Sequence, residues 1–93
     1  PSVFRDLAFV VDESVPVGEV ENAIKEKAGA VLKSIRLFDI YRGERIGEGK
    51  KSVAFSLEIL SKEKTLTDEE VNELIQKVVK YVEQKFEAKL RSY

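Results

Sequence analysis

Asp39 and Tyr41 stand two residues apart in the run Ser34 to Arg42, which is rich in β-branched and aromatic residues. That spacing puts a carboxylate and a phenol ring on the same face of a strand. A flat ring can lie on the tyrosine while the carboxylate accepts hydrogen bonds from the ring's edge, which is the chemistry of a base-reading surface. Solvated edge-strand residues share the same spacing, so the pair alone fits either role. Around it, Lys33 to Lys51 contains six basic residues (Lys33, Arg36, Arg42, Arg45, Lys50 and Lys51) against three acidic ones (Asp39, Glu44 and Glu48). A local surplus of three positive charges suits a few phosphates and a shallow salt dependence, and it equally suits the solubility of an exposed hairpin.

Other chemistries are harder to build. With no Cys and no His, the chain lacks thiolate nucleophiles, thiolate metal sites and the commonest general base. Gly49-Lys50 looks like the end of a phosphate-binding loop, but five residues separate Gly43 from Gly49, Lys51 follows Lys50, and a strand pattern comes next. Such a loop needs four intervening residues, a Ser or Thr after the Lys, and a helix. Asp68, Glu69 and Glu70 suit the first turn of a helix better than a metal site. Lys51 to Glu58 faintly echoes the RNA-recognition motif, yet Phe55 is in phase with Val53 and Leu57, on the core side of its strand.

The elements that position these residues follow from periodicity. Asp6 to Asp12 alternates as a strand. Val17, Val20, Ala23, Ile24 and Ala28 recur at helical spacing, with Gly29 as terminator. Ser34 to Arg42 and Lys51 to Leu60 form a hairpin across a three-glycine connection. Thr67 caps a second helix with Glu70 three residues on and Leu66 stapled to Val71. Val71, Leu74, Ile75, Val78, Val79, Val82 and Phe86 form its apolar stripe. Ala88 to Tyr93 serves as an edge strand. The order β-α-β-β-α-β predicts an α+β, ferredoxin-like fold: a four-stranded antiparallel sheet with two helices packed on one face. With Leu7, Phe9, Val11, Phe38, Ile40, Val53, Phe55 and Leu57 toward the helices, alternation sends Ala8, Val10, Asp39, Tyr41, Ser52, Ala54 and Ser56 to the open face.

The remaining bounds are set by size and composition. Ninety-three residues, 43% hydrophobic and 35% charged, support one core and are read as a single domain, residues 1–93, a segment of a longer chain. A net charge of −1 gives no global attraction to polyanions or membranes, so any nucleic-acid contact is local. No apolar run approaches a membrane span or signal peptide, and the expected location is the cytoplasm.

Four segments carry a resemblance: Arg5-Asp6-Leu7-Ala8, Leu37-Phe38-Asp39-Ile40-Tyr41-Arg42-Gly43, Gly47 to Phe55, and Thr65 to Val71. In order, and over essentially the whole chain, they resemble the ferredoxin-fold anticodon-binding domain at the C-terminus of the bacterial phenylalanine-tRNA ligase β subunit. The resemblance implies a non-catalytic module that grips the anticodon stem-loop of phenylalanine tRNA and reads the first anticodon base on the open sheet. It maps RNA contacts onto Ala8, Asp39, Tyr41 and Ser52, with Arg91 as a looser phosphate or base contact. Arg36, Arg42, Arg45, Lys50 and Lys51 would position the backbone. By the same resemblance the parent enzyme uses ATP and magnesium elsewhere, so no cofactor is expected in this domain. The expected partners are the tRNA, the α subunit and the remaining β-subunit domains, and the isolated domain is expected to be monomeric. A small-molecule regulatory or scaffold domain of the same fold, including an engineered variant without RNA binding, is the alternative. A small acylphosphatase-like hydrolase fits poorly, because Asp12 to Pro16 is acidic where an anion cradle is needed.

Overall fold

Strict alternation of apolar residues builds the two central strands, and helical spacing builds the layer above them. The computed structural model describes residues 1–91. In chain order it contains β1 (Val3–Asp12), α1 (Val17–Ala28), β2 (Leu32–Tyr41), β3 (Lys50–Ile59), α2 (Asp68–Phe86) and β4 (Lys89–Arg91). Short 3₁₀ turns at Gly29–Val31 and Glu44–Ile46 lie between them. The strands form one antiparallel sheet in the order β2-β3-β1-β4, the expected ferredoxin-like α+β arrangement. The first strand begins three residues earlier than its alternation suggested, because Val3 to Arg5 pair with Leu57 to Ile59. Of the expected last segment, Lys89 to Arg91 pairs with β1, and Ser92 and Tyr93 lie outside the described residues.

The core sits between the helices and one side of the sheet. Leu7, Phe9 and Val11 of β1 and Val53, Phe55 and Leu57 of β3 are buried against Val20, Ala23, Ile24 and Ala28 of α1 and Val78 and Val82 of α2. Full burial of one phenylalanine side chain is worth about 1.5–3 kcal/mol. That exceeds a helix cap at about 1 kcal/mol, so packing decides that the helices form and capping decides where they start. Gly29 ends α1 at φ 71°, a conformation open to glycine at little cost, and its N–H donates to the Lys25 carbonyl. At the start of α2 the capping box is complete: the Glu70 N–H donates to Thr67 Oγ1 at 3.1 Å, and the Thr67 N–H donates to Glu70 Oε1 at 3.0 Å.

β2 departs from simple alternation. Its pairing with β3 shifts between Leu32 and Ser34 and again between Leu37 and Asp39, so Lys33 and Phe38 are extra residues in the ladder. Leu37 packs against the core, whereas Phe38 is 39% exposed and lies outside it. The expectation that Phe38 faces the helices is therefore corrected: the bulge resets the phase at that residue. Ile40 keeps the helix-side phase opposite Val53 but is 40% exposed, at the sheet's edge. Asp39 and Tyr41 remain on the open side because the reset occurs before them.

Thr67→Ala is expected to lower stability by about 1 kcal/mol with little change in the denaturant slope, measured by urea unfolding. A variant as stable as the parent would show that the cap contributes nothing to this helix.

Candidate nucleic-acid interface

Register across the sheet decides which side chains meet on the face away from the helices. One row runs Arg91, Ala8, Ala54, Asp39 from β4 to β2, and the next runs Lys89, Val10, Ser52, Tyr41. The middle of both rows is a low floor: Ala8, Ala54 and Ser52 are buried and Val10 is half-buried. The rim carries the long ones. β4 and β2 lie three strand spacings apart, roughly 14 Å at about 4.8 Å each. Even so, the Arg91 guanidinium carbon is 4.9 Å from the centre of the Tyr41 ring. The two side chains reach toward one another from opposite edges and meet above the floor. All five residues expected to touch RNA (Ala8, Asp39, Tyr41, Ser52 and Arg91) thus lie together on this face.

Gly43 lies against the hydroxyl end of Tyr41, so closely that a Cβ there would fall 2.7 Å from Tyr41 Cζ. Any side chain at position 43 would push the ring out of place, which gives this glycine a steric role.

The basic residues grouped by sequence do not stay grouped. Arg36 lies on the open face, opposite Ser56, with its guanidinium carbon 5.9 Å from the Phe38 ring centre. Arg45 sits in the Glu44–Ile46 turn. Lys50 pairs with Asp12 at 3.8 Å. Lys51 is 6% exposed and shares the phase of Val53, toward the helix side. Its ammonium donates to the Glu13 carbonyl at 3.0 Å and faces the Glu13 carboxylate at 3.5 Å. Arg42 grips the same carboxylate with two hydrogen bonds, 2.5 Å from Nε and 2.9 Å from Nη2. The positive surplus is therefore divided: Arg42 and Lys51 pair with Glu13, Lys50 with Asp12 and Lys33 with Glu58, and among the described residues Arg36 and Arg45 have no carboxylate partner. Sequence reasoning missed Glu13. By itself its loop shows only acidity, and the available signal is that the Asp12 end of β1 must meet the Lys50 end of β3 in an antiparallel pair.

The connection from Gly43 to Gly49 leads into β3, not a helix, so it has no phosphate-loop geometry. Among the described residues no group of three or more acidic side chains gathers as a metal site would require, and no helix is long and apolar enough to cross a membrane.

With this geometry in view, comparison with known families is decisive: the model for the ferredoxin-fold anticodon binding domain matches residues 1–91. The chain belongs to this family. It is 50% identical over 91 residues to the phenylalanine–tRNA ligase β subunit of Bacillus subtilis, a match covering 98% of this chain. It is 44% identical over 91 residues to that of Clostridium acetobutylicum and 45% identical over 92 residues to that of Aquifex aeolicus. These matches cover 98% and 99% of the chain. The chain spans 11% of the length of the first relative and 12% of the other two.

In this anticodon-binding-family domain the most strongly perturbed carboxylate is Glu13. The hydrogen bonds from Arg42, with the charges of Arg42 and Lys51, lower it from 4.5 to about 2. Asp12, Glu58 and Glu70 are also lowered, chiefly by hydrogen bonds from Ser14, Ser2 and Lys64 respectively. A carboxylate depressed on folding stabilises fully above its unfolded value and loses that contribution as pH falls through its folded value. The Glu13 contribution is therefore present above about pH 4.5 and fades toward about pH 2. Glu13→Gln should flatten the acid-side fall of stability in that window, as followed by urea unfolding at stepped pH. An unchanged pH profile would show that the contact with Arg42 adds nothing.

Proposed function

We propose that this domain binds the anticodon stem-loop of phenylalanine tRNA and reads the first anticodon base on the open face of its sheet. In this reading it is the non-catalytic anticodon-binding module of a bacterial phenylalanine-tRNA ligase β subunit. The observation that carries the reading is the convergence of Ala8, Asp39, Tyr41, Ser52 and Arg91 on one face around a floor of small side chains.

The assigned roles follow from chemistry. Tyr41 offers a stacking surface, and Asp39 accepts from donors on a purine edge, a role that a guanine fits best. Ala8 lets the base approach the backbone closely, and Ser52 hydrogen-bonds the base or its backbone. Arg91 holds the Tyr41 ring in the free domain by a cation–π contact worth about 0.5–1 kcal/mol at an exposed site. A stacked base is worth about 1–3 kcal/mol, so exchanging the guanidinium for a base is favourable and frees Arg91 for a phosphate or base contact. Arg36, Arg45 and Lys50, at the surface, position the backbone without specifying sequence. Arg42 and Lys51 act indirectly, by anchoring the strand ends through Glu13. Chemistry with ATP and magnesium belongs to the α subunit and other β-subunit domains of such a ligase, and this chain needs no cofactor. The module works in the cytoplasm and is monomeric by itself.

Tyr41→Ala should weaken binding of a labelled anticodon stem-loop by about 1–3 kcal/mol in fluorescence anisotropy. Asp39→Asn should chiefly erase the preference for guanine over adenine at the first position. Wild-type affinity and preference in both variants would overturn the assignment.

A further inference from the structure

The bulge in β2 leaves an aromatic side chain without a structural task. Phe38 is the extra residue between Leu37 and Asp39, it is 39% exposed, and it takes no part in the core. A phenylalanine in that state forgoes much of the burial that normally justifies its presence. Three observations put its ring on the side of the sheet that Asp39 occupies. Leu37 takes the core position opposite Phe55, the phase of Asp39 is reset to the open face opposite Ala54, and Arg36, on that face opposite Ser56, holds its guanidinium 5.9 Å from the Phe38 ring.

Phe38 and Tyr41 therefore flank Asp39 along one strand, three residues apart and on the order of 7–10 Å at about 3.3 Å per residue. An aromatic surface beside an arginine is the combination on which unpaired bases stack without regard to sequence. The open face thus carries two stacking surfaces with one carboxylate between them. Single-stranded loops are bound with their bases splayed apart, so two neighbouring bases can engage two separate rings.

We propose that Phe38, with Arg36 beside it, stacks a nucleobase that directly neighbours the first anticodon base in the bound loop. This rests on the proposed reading of the Tyr41 site and extends it to a second nucleotide. Phe38 supplies affinity without base identity, because every base has a face to stack. Arg36 steadies the ring in the free domain and meets the adjacent phosphate in the complex.

The test is a set of binding measurements by fluorescence anisotropy on wild type, Phe38→Ala and Phe38→Trp. Three stem-loops are used: intact, abasic at the nucleotide 5′ of the first anticodon base, and abasic at the nucleotide 3′ of it. Phe38→Ala is expected to lose about tenfold on the intact loop and to match wild type on one of the two abasic loops. Phe38→Trp, which keeps a stacking ring, should bind the intact loop like wild type. The preference for the first anticodon base, measured with a further loop altered only at that base, should be the same in all three proteins. Wild-type affinity of Phe38→Ala for the intact loop sinks the proposal while leaving the Tyr41 reading standing, and so does an equal loss on all three loops. A wild-type domain that binds none of the loops overturns both readings together.

Discussion

Both helices lie on one side of the sheet, and the usable surface depends on that allocation. β1 and β3 bury Leu7, Phe9, Val11, Val53, Phe55 and Leu57 beneath the helices, so the alternate residues Ala8, Val10, Ser52, Ala54 and Ser56 fall on the other side. Because a strand's side chains alternate strictly, a slip of one residue in the β1–β3 pairing would put phenylalanines on the open face and alanines in the core. The fully buried Phe9 and Phe55 make such a slip prohibitively costly. The core is therefore what keeps the floor of the opposite face small.

Over that floor the long side chains of the two edge strands cooperate. Tyr41 has Arg91 over its ring and Gly43 close against its hydroxyl end. The neighbouring Arg42 is tied to Glu13 at the far end of β1. Glu13 in turn receives Lys51, and its N–H donates to the Gly49 carbonyl at 2.8 Å. The pairing at this end of the sheet thus ties down the residue that follows Tyr41 at the end of β2. The chain's net charge of −1 fits this picture. Positive charge is used locally, part of it to hold strand ends together, and the surface is not turned into a general polyanion binder.

Most of this architecture was legible in the residues. The stripes at Val20-Ala23-Ile24 and Val71-Val78-Val82, the Thr67–Glu70 capping box and the alternation in β1 and β3 each carry their own physical signature. The open-face place of Ser52 follows from the same alternation, and that of Asp39 and Tyr41 from the helix-side phase of Ile40 between them. Phe38 was not legible, because a bulge depends on how two strands pair and leaves no periodic trace in either one. The division of the basic cluster was hidden for a related reason. Charges close in sequence were read together, whereas Lys51 and Lys50 point to opposite sides of β3, and the partner of Arg42 lies 29 residues away. The Arg91–Tyr41 contact needs the whole width of the sheet and is written in no local pattern.

The central claim is that the open face holds the first anticodon base against Tyr41. It is tested most directly by NMR on the isotopically labelled domain, titrated with a phenylalanine anticodon stem-loop and with a loop altered only at that base. Shifts centred on Ala8, Asp39, Tyr41 and Ser52, contacts between the Tyr41 ring protons and protons of the first anticodon base, and weakening of both with the altered loop are the predicted result. Shifts confined to Arg36, Arg45 and Lys50 and identical for the two loops would contradict it, reducing the face to a site of electrostatic contact alone.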